Sequence, residues 1–259
     1  MTDIELKENL WGYAKRLRFV CAAIEAGFPG KAPSELRILD VGCGSATQLG
    51  LPLARRGYRL TGTDTHEPSI AKARELSDGI SNASFICGTI EDLDAEPFEV
   101  VILSEVLEHV DEPEKLLKAS LLQLRDDGLV IITVPNGYGE FEWDSWVFRT
   151  LGFERLVDKL KTQRVAGKIS RHEMPSTENA ENGHIQFFTK QRLLTMFNSC
   201  GLMVVNECAS TLVSGPFASY SIGRIPGFID WNAKIANMLP MTFSSGWFFA
   251  LRPISADKN

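Results

Sequence analysis

Ile38-Leu-Asp-Val-Gly-Cys-Gly-Ser-Ala46 carries a short apolar run into a glycine turn and then into a helical stretch. The run, residues 36–41, is close to continuously apolar, as a strand buried on both faces of a sheet requires. Gly42 and Gly44 let the chain bend sharply and let its backbone approach a ligand with no Cβ in the way. Asp64 closes the next apolar run, 20 residues beyond Gly44, where a carboxylate can accept hydrogen bonds from ribose hydroxyls. Ligands of such sheets sit beyond the carboxyl ends of the strands, where the strand order reverses. The segment therefore predicts an α/β protein with a ligand seated over residues 40–44 and 64.

Outward from the turn, strands and helices alternate. Helices are expected at about 46–56, after Glu67-Pro68 and from about Pro113, with strands at 59–63, 84–87, 98–103 and 129–134. The third of these helices shows Leu117, Leu121 and Leu124 on one face, with Gly128 placed to stop it. Ahead of the turn, Leu6, Leu10, Tyr13, Leu17, Val20 and Ile24 recur at steps of three and four. They predict an amphipathic helix ending near Gly27 and Pro29, a helical cap over residues 1–35. The rhythm breaks after Pro135-Asn136 and resumes at His184, with a helix at about 190–200 and strands at 202–208 and 247–251. The expected architecture is a doubly wound α/β fold in one domain, residues 1–259. Its seven-stranded sheet is mostly parallel, with right-handed crossovers and an antiparallel last strand.

Two segments fall outside that rhythm. Residues 137–183 contain Phe141, Trp143, Trp146, Phe148 and Phe153, then seven bases against three acids between Arg149 and Glu173. Residues 211–245 carry only Arg224, Asp230 and Lys234 as formal charges, and Phe228, Trp231, Ile235 and Met238 have helical spacing. Aromatics at such spacing are usually core, and basic runs are usually solvated. The sharper expectation is a pair of substrate lids for an acceptor with an apolar part and an anionic part. Trp and Phe beside Lys and Arg also suit peripheral membrane contact.

The net charge of −6 disfavours binding to a nucleic-acid backbone, and 44% hydrophobic against 23% charged residues argues against disorder. The five cysteines, odd in number and without C-x-x-C spacing, fit reduced thiols. The acidic start and the lack of any apolar run near the roughly 18 residues of a membrane span make the cytoplasm the expected address. Nothing in the sequence fixes an oligomeric state.

A nicotinamide dinucleotide site would place glycine at the sixth position of G-x-G-x-x-G, where this chain has Thr47. Asp40, two residues before the first glycine, should repel a diphosphate and suit a cation. S-adenosylmethionine carries an ammonium and a sulfonium and no phosphate, so the electrostatics favour it. At this point the sequence resembles the class I S-adenosylmethionine-dependent methyltransferases. Asp40-Val-Gly-Cys-Gly44 is similar to their first motif, and Gly62-Thr-Asp64 to their ribose-binding strand end. Phe85-Ile-Cys-Gly-Thr-Ile-Glu-Asp-Leu93 resembles their adenine loop. Ser104-Glu-Val-Leu-Glu-His-Val110 resembles the segment after the fourth strand, and Gly183-His-Ile-Gln-Phe-Phe-Thr189 the one before the fifth-strand helix. The resemblance covers about residues 36–208 and has the flavour of the ubiquinone-pathway O-methyltransferases. Ala46 and Thr89 depart from the pattern, standing where many members have glycine and an adenine-contacting aspartate.

The resemblance implies S-adenosylmethionine as donor and S-adenosylhomocysteine as product. Asp40, Gly42 and Gly44 would shape the methionine end and Asp64 with Thr65 the ribose end. Thr89, Ile90 and Glu91 would lie near the adenine, and Ser104 would line the floor. Methyl transfer needs a base only when the acceptor must lose a proton, as a hydroxyl does. His184 is the first candidate for that base and His109 the second, the plainer reading of each being a structural histidine; His66 and His172 read as surface. Glu105, Glu108 and His109 form E-x-x-E-H, which on a helical turn shares one face and could hold a divalent ion. The resemblance implies such a metal role, with Glu112 in place of a later aspartate. The plainer reading is acids at a helix start, and no metal ligand is assigned. The expected activity is O-methylation of a small molecule such as a sugar, a lipid-linked or a prenylated intermediate. The alternatives are N- or C-methylation, a nicotinamide oxidoreductase and a non-catalytic cofactor-binding module.

Overall fold

Every strand expected from an apolar run takes its place in one sheet of a computed structural model, which describes residues 8–139, 184–214 and 225–254. The strands are β1 Arg37–Val41, β2 Arg59–Asp64, β3 Ala83–Cys87, β4 Phe98–Ser104, β5 Leu124–Pro135, β6 Leu202–Ala209 and β7 Gly246–Pro253. Around them lie α1 Tyr13–Gly27, α2 Gly50–Arg55, α3 Glu67–Leu76, α4 Pro113–Leu121, α5 Lys190–Ser199 and α6 Phe228–Ile235. The sheet order is β3-β2-β1-β4-β5-β7-β6. Neighbours from β3 to β5 are parallel, and β7 runs antiparallel between β5 and β6. The strand order reverses between β1 and β4, so the carboxyl ends of these two strands open a crevice.

Successive residues of the central strands point to opposite faces, and both faces are buried. Ile38, Val100, Ile102 and Ile131 pack beneath Leu17, Val20 and Ile24 of α1, Leu51 and Leu53 of α2 and Ile70 of α3. Leu39, Val41, Val101, Leu103 and Ile132 pack against Leu117 of α4 and Leu193 and Phe197 of α5.

Three local expectations differ from the structure. α1 begins at Tyr13 rather than near Leu6, because Gly12 is left-handed (φ 70°) and the Asn9 side-chain oxygen accepts the N–H groups of Trp11 and Tyr13. α2 begins at Gly50 rather than 46, since Ala46 is itself left-handed (φ 58°) and prolongs the turn. α4 stops at Leu121; Leu124 pairs with Phe98 and opens β5, and Gly128 lies inside that strand at a register shift. In α6 the stripe of Phe228, Trp231, Ile235 and Met238 does not enter the core. The buried residues are Asn232, Ala233 and Ala236, while Trp231 and Met238 are exposed.

Polar contacts, rather than an apolar face, fasten α6. Asn232 accepts from the Val213 N–H at 2.8 Å and donates to the Val213 carbonyl at 2.7 Å. The buried Lys15 ammonium of α1 donates to the carbonyls of Ser210 and Ala233 and to Asn237 Oδ1, at 2.6, 2.8 and 2.8 Å. Residues 140–183, with the aromatic and basic stretch from Phe141 to Arg171, and 215–224 within the second segment expected to be a lid lie outside the described residues.

Candidate active site

Beyond Val41 the chain must turn beneath the end of β2. Gly42 does so at φ 68°, and the N–H groups of Gly42 and Cys43 donate to the Thr63 carbonyl at 2.8 and 3.0 Å. A Cβ on Gly42 would lie 2.5 Å from Val106 Cγ2, so the position needs glycine for conformation and for space. Gly44, at φ 53°, is different, because a Cβ there would meet nothing within 4 Å. Its N–H donates to Asp64 Oδ2 at 2.8 Å, and the His66 N–H donates to Asp64 Oδ1, also at 2.8 Å. Each Asp64 oxygen keeps an accepting position for another donor. Thr65 next to it is exposed.

Asp40 is buried behind this turn. Burial first, and the neighbouring Asp64 second, push its carboxyl up to about 7 against the opposing pull of Arg16. A cation brought to the turn would hold it ionised.

Arg16 of α1 was not singled out by the sequence, yet it organises the crevice. Its guanidinium is buried and packs over Tyr13 and Phe248. It donates to Gln48 Oε1 at 3.2 Å and to Ser104 Oγ at 3.3 Å, and pairs with Glu105 Oε1 at 3.3 Å. Thr133 donates its hydroxyl to Glu105 Oε1 at 2.9 Å, so it accepts from Ser104 Oγ at 2.9 Å. Arg16, Ser104, Thr133 and Glu105 thus close a ring of hydrogen bonds across the ends of β4 and β5. Arg16 Nε is buried with no partner among the described residues. Glu105 is held at φ 55°, a left-handed conformation rare outside glycine.

At the end of β3, Ile90 is buried and Thr89 and Glu91 are exposed. The Thr89 hydroxyl and N–H both donate to Asp92 Oδ2 at 2.9 Å. Asp92 therefore fastens the turn, and the Thr89 hydroxyl proton is committed.

The E-x-x-E-H segment does not form the single face expected of it. Glu105 precedes the short 3-10 turn Leu107–His109, and its left-handed backbone sends it to Arg16 and Thr133. Glu108 turns inward, fully buried, and neither of its carboxylate oxygens accepts a hydrogen bond from a described residue. Burial first, and then Glu105, hold its carboxyl well above the usual carboxylate range. His184 joins it because the N–H groups of Ile185 and Gln186 both donate to the Glu108 carbonyl at 3.0 Å. The rings of His109 and His184 stand 5.2 Å apart, and ligating atoms of Glu108, His109 and His184 lie within 4.8 Å of one another. The two histidines chosen as candidate bases are thus brought together, and Glu112 is not part of the group. Tyr138, Ile185 and Phe187 lie exposed in the chain segments beside His184, where the Gly137 N–H donates to the Phe188 carbonyl at 3.1 Å.

Open space above Gly44, an acid awaiting a cation, a carboxylate with accepting positions left and a buried guanidinium with an orphan N–H suit an amino-acid nucleoside. Residues 13–207 match the family described as methyltransferase domain. The ubiquinone biosynthesis O-methyltransferase of Bradyrhizobium diazoefficiens is 34% identical over 124 residues, 47% of each chain. The chain spans about half the length of the curated relatives it matches. Among solved structures, magnesium protoporphyrin IX methyltransferase from Synechocystis PCC 6803 with bound S-adenosylhomocysteine superposes with a TM-score of 0.53. That match is 14% identical and covers 92% of this chain and 85% of that one. The 4+2 cyclase SpnF gives a TM-score of 0.55 at 15% identity, covering 92% and 82% of the two chains. At such identities the likeness is one of fold alone, and the inclusion of a cyclase shows how many reactions the fold serves. The extent of the domain match, with the sheet order and the turn at Asp40, shows that the chain belongs to the class I S-adenosylmethionine-dependent methyltransferases.

Proposed function

We propose that the chain transfers a methyl group from S-adenosylmethionine to a hydroxyl of a small, partly apolar acceptor. The observation that carries this reading is the Glu108–His109–His184 group beside the exposed Tyr138, Ile185 and Phe187. An apolar rim next to imidazoles suits a hydroxylated ring or chain with an apolar substituent, in keeping with what the relatives' name says of them. Residues 140–183 and 215–224 are proposed to complete the acceptor's enclosure, with Arg155, Lys159 and Lys161 available to an anionic part.

The donor supplies a methyl carbon already activated by a sulfonium. Asp40 takes its ammonium, Arg16 its carboxylate and Asp64 its ribose hydroxyls. Ile90 and the backbone of Thr89 and Glu91 flank the base, and Ser104 lines the floor. This chain's further task is alignment and proton removal. The acceptor oxygen forms the new bond to carbon as the carbon–sulfur bond breaks. The hydroxyl proton passes to an imidazole nitrogen of His184, with His109 beside it. A nitrogen or carbon acceptor would have no need of that base.

Incubating the protein with isotopically labelled donor and a metabolite extract, then identifying the labelled product, tests the proposal. A labelled methyl ether is expected, at a rate reduced at least about a hundredfold in His184→Ala. Label on nitrogen or carbon, or undiminished turnover by that variant, would overturn it.

A further inference from the structure

We propose that the outward face of α6 binds the same face of a second copy of this chain, the two helices lying antiparallel about a two-fold axis. An ordinary surface helix turns its apolar stripe to the body and its polar face to water. In α6 the two are exchanged. Asn232, Ala233 and Ala236 face inward, where Asn232 is bonded to the Val213 backbone and Lys15 takes the Ala233 carbonyl. The large apolar side chains are left outside. Trp231 is 51% and Met238 78% exposed, and the partly buried Phe228 ring packs on that of Trp231 with centroids 5.6 Å apart. Periodic apolar residues held outward by a polar anchor are a surface awaiting cover.

The charges on this face select the occupant. Asp230 and Lys234 are the two formal charges of α6, four residues apart, and both are exposed. At 3.6 residues per turn they share one flank of the outward face. Phe228 and Ile235 take the other flank, and Trp231 and Met238 lie between. A two-fold axis relating antiparallel helices returns each flank to itself. It sets Asp230 against Lys234 of the partner subunit, and Lys234 against Asp230 of the partner subunit. In the same register Trp231 meets Ile235 of the partner subunit, and Phe228 meets Met238 of the partner subunit.

An isologous contact must be complementary to itself, and this face is so in charge as well as in apolarity. A parallel pairing would set acid on acid and base on base, and an anionic lipid surface would meet Asp230 with no cation opposite it.

Sedimentation velocity of the full chain, over micromolar to submillimolar concentrations, measures the association. One short helix per partner covers less than the roughly 800 Å² of a standard interface, so a dissociation constant on the order of 10 μM is expected. Asp230→Lys and Lys234→Asp, each alone, make both charge contacts repulsive and should weaken the dimer at least about tenfold. Mixed in equal amounts, the two variants should associate again about as tightly as the parent, because every contact is then opposite in sign. The double variant should do the same by itself. Trp231→Ser should weaken the dimer more than about tenfold. Thermal melting close to the parent's is expected of each variant, since none of these side chains takes part in the bonds that fasten α6. A monomer throughout the range, a dimer indifferent to Trp231→Ser, or single variants that stay apart when mixed would overturn the proposal. A monomer that binds phosphatidylcholine vesicles through Trp231 would overturn it in favour of a lipid surface.

Discussion

Replacing Asp40 by asparagine removes one charge and keeps the side chain's shape, which separates two consequences of the buried acid. Its carboxyl titrates near 7 in the folded chain against 3.8 in the ordinary state. Below pH 3.8 both states hold the proton and the group is neutral toward stability. As pH rises the unfolded chain ionises first, so the folded state loses stability until about pH 7, where the loss is complete. Three pH units correspond to about 4 kcal/mol. At pH 8 and without ligand, Asp40→Asn should therefore melt above the parent, by about 10 °C, and the gap should close toward pH 4. The cofactor tells the opposite story. Losing a charge-assisted hydrogen bond of about 1.5–3 kcal/mol weakens S-adenosylmethionine by about 10- to 150-fold. Parent affinity should rise about tenfold per pH unit up to pH 7 and fall above about pH 8, where the ligand's amine deprotonates. The variant keeps only the upper limb. Thermal melts and calorimetry across pH 5–9 measure both effects. A variant that melts below the parent at pH 8, or binds the cofactor as well as the parent, would refute the reasoning.

Arg16→Met leaves Glu105 without its cation and opens the hydrogen-bond ring; denaturant unfolding should show a loss of about 3 kcal/mol, with cofactor affinity down about a hundredfold. Gly42→Ala combines a left-handed residue with a contact at 2.5 Å, so it should lose stability by thermal melt, and adding Val106→Ala should restore part of the loss. Gly44→Ala bears only the backbone cost of about 1 kcal/mol, because the space is open, yet its cofactor affinity by calorimetry should fall by more than its stability implies. Lys15→Met removes the donor shared by Ser210, Ala233 and Asn237; amide hydrogen exchange in Phe228–Ile235 should quicken while the central strands are unchanged.

The glycine turn was legible because its geometry forces its letters. Only glycine combines φ 68° with the space beneath Val106, and the acid at the end of β2 accepts the Gly44 N–H. The strands themselves followed from apolar runs too short for helices, while their order in the sheet did not. The errors arose where one letter served two patterns. Leu124 continues the stripe of α4 and also pairs with Phe98, and the strand pairing prevails. Phe228, Trp231, Ile235 and Met238 were periodic, but periodicity does not say which face meets the body; Lys15 and Asn232 decide it. Arg16 was hidden because its partner Ser104 lies 88 residues away and an amphipathic pattern marks burial, not reach. His109 and His184 were chosen separately. Only the backbone bonds to the Glu108 carbonyl bring them together.

Calorimetric titration of the purified chain at pH 7.5, with S-adenosylmethionine in one run and NADH in the other, sets the two ligands against each other at the Asp40 turn. One saturable heat for the sulfonium compound, abolished by prior addition of S-adenosylhomocysteine, and none for the dinucleotide is the predicted result. Saturable binding of NADH that competes with the methyl donor, or no heat from the methyl donor at all, would contradict it.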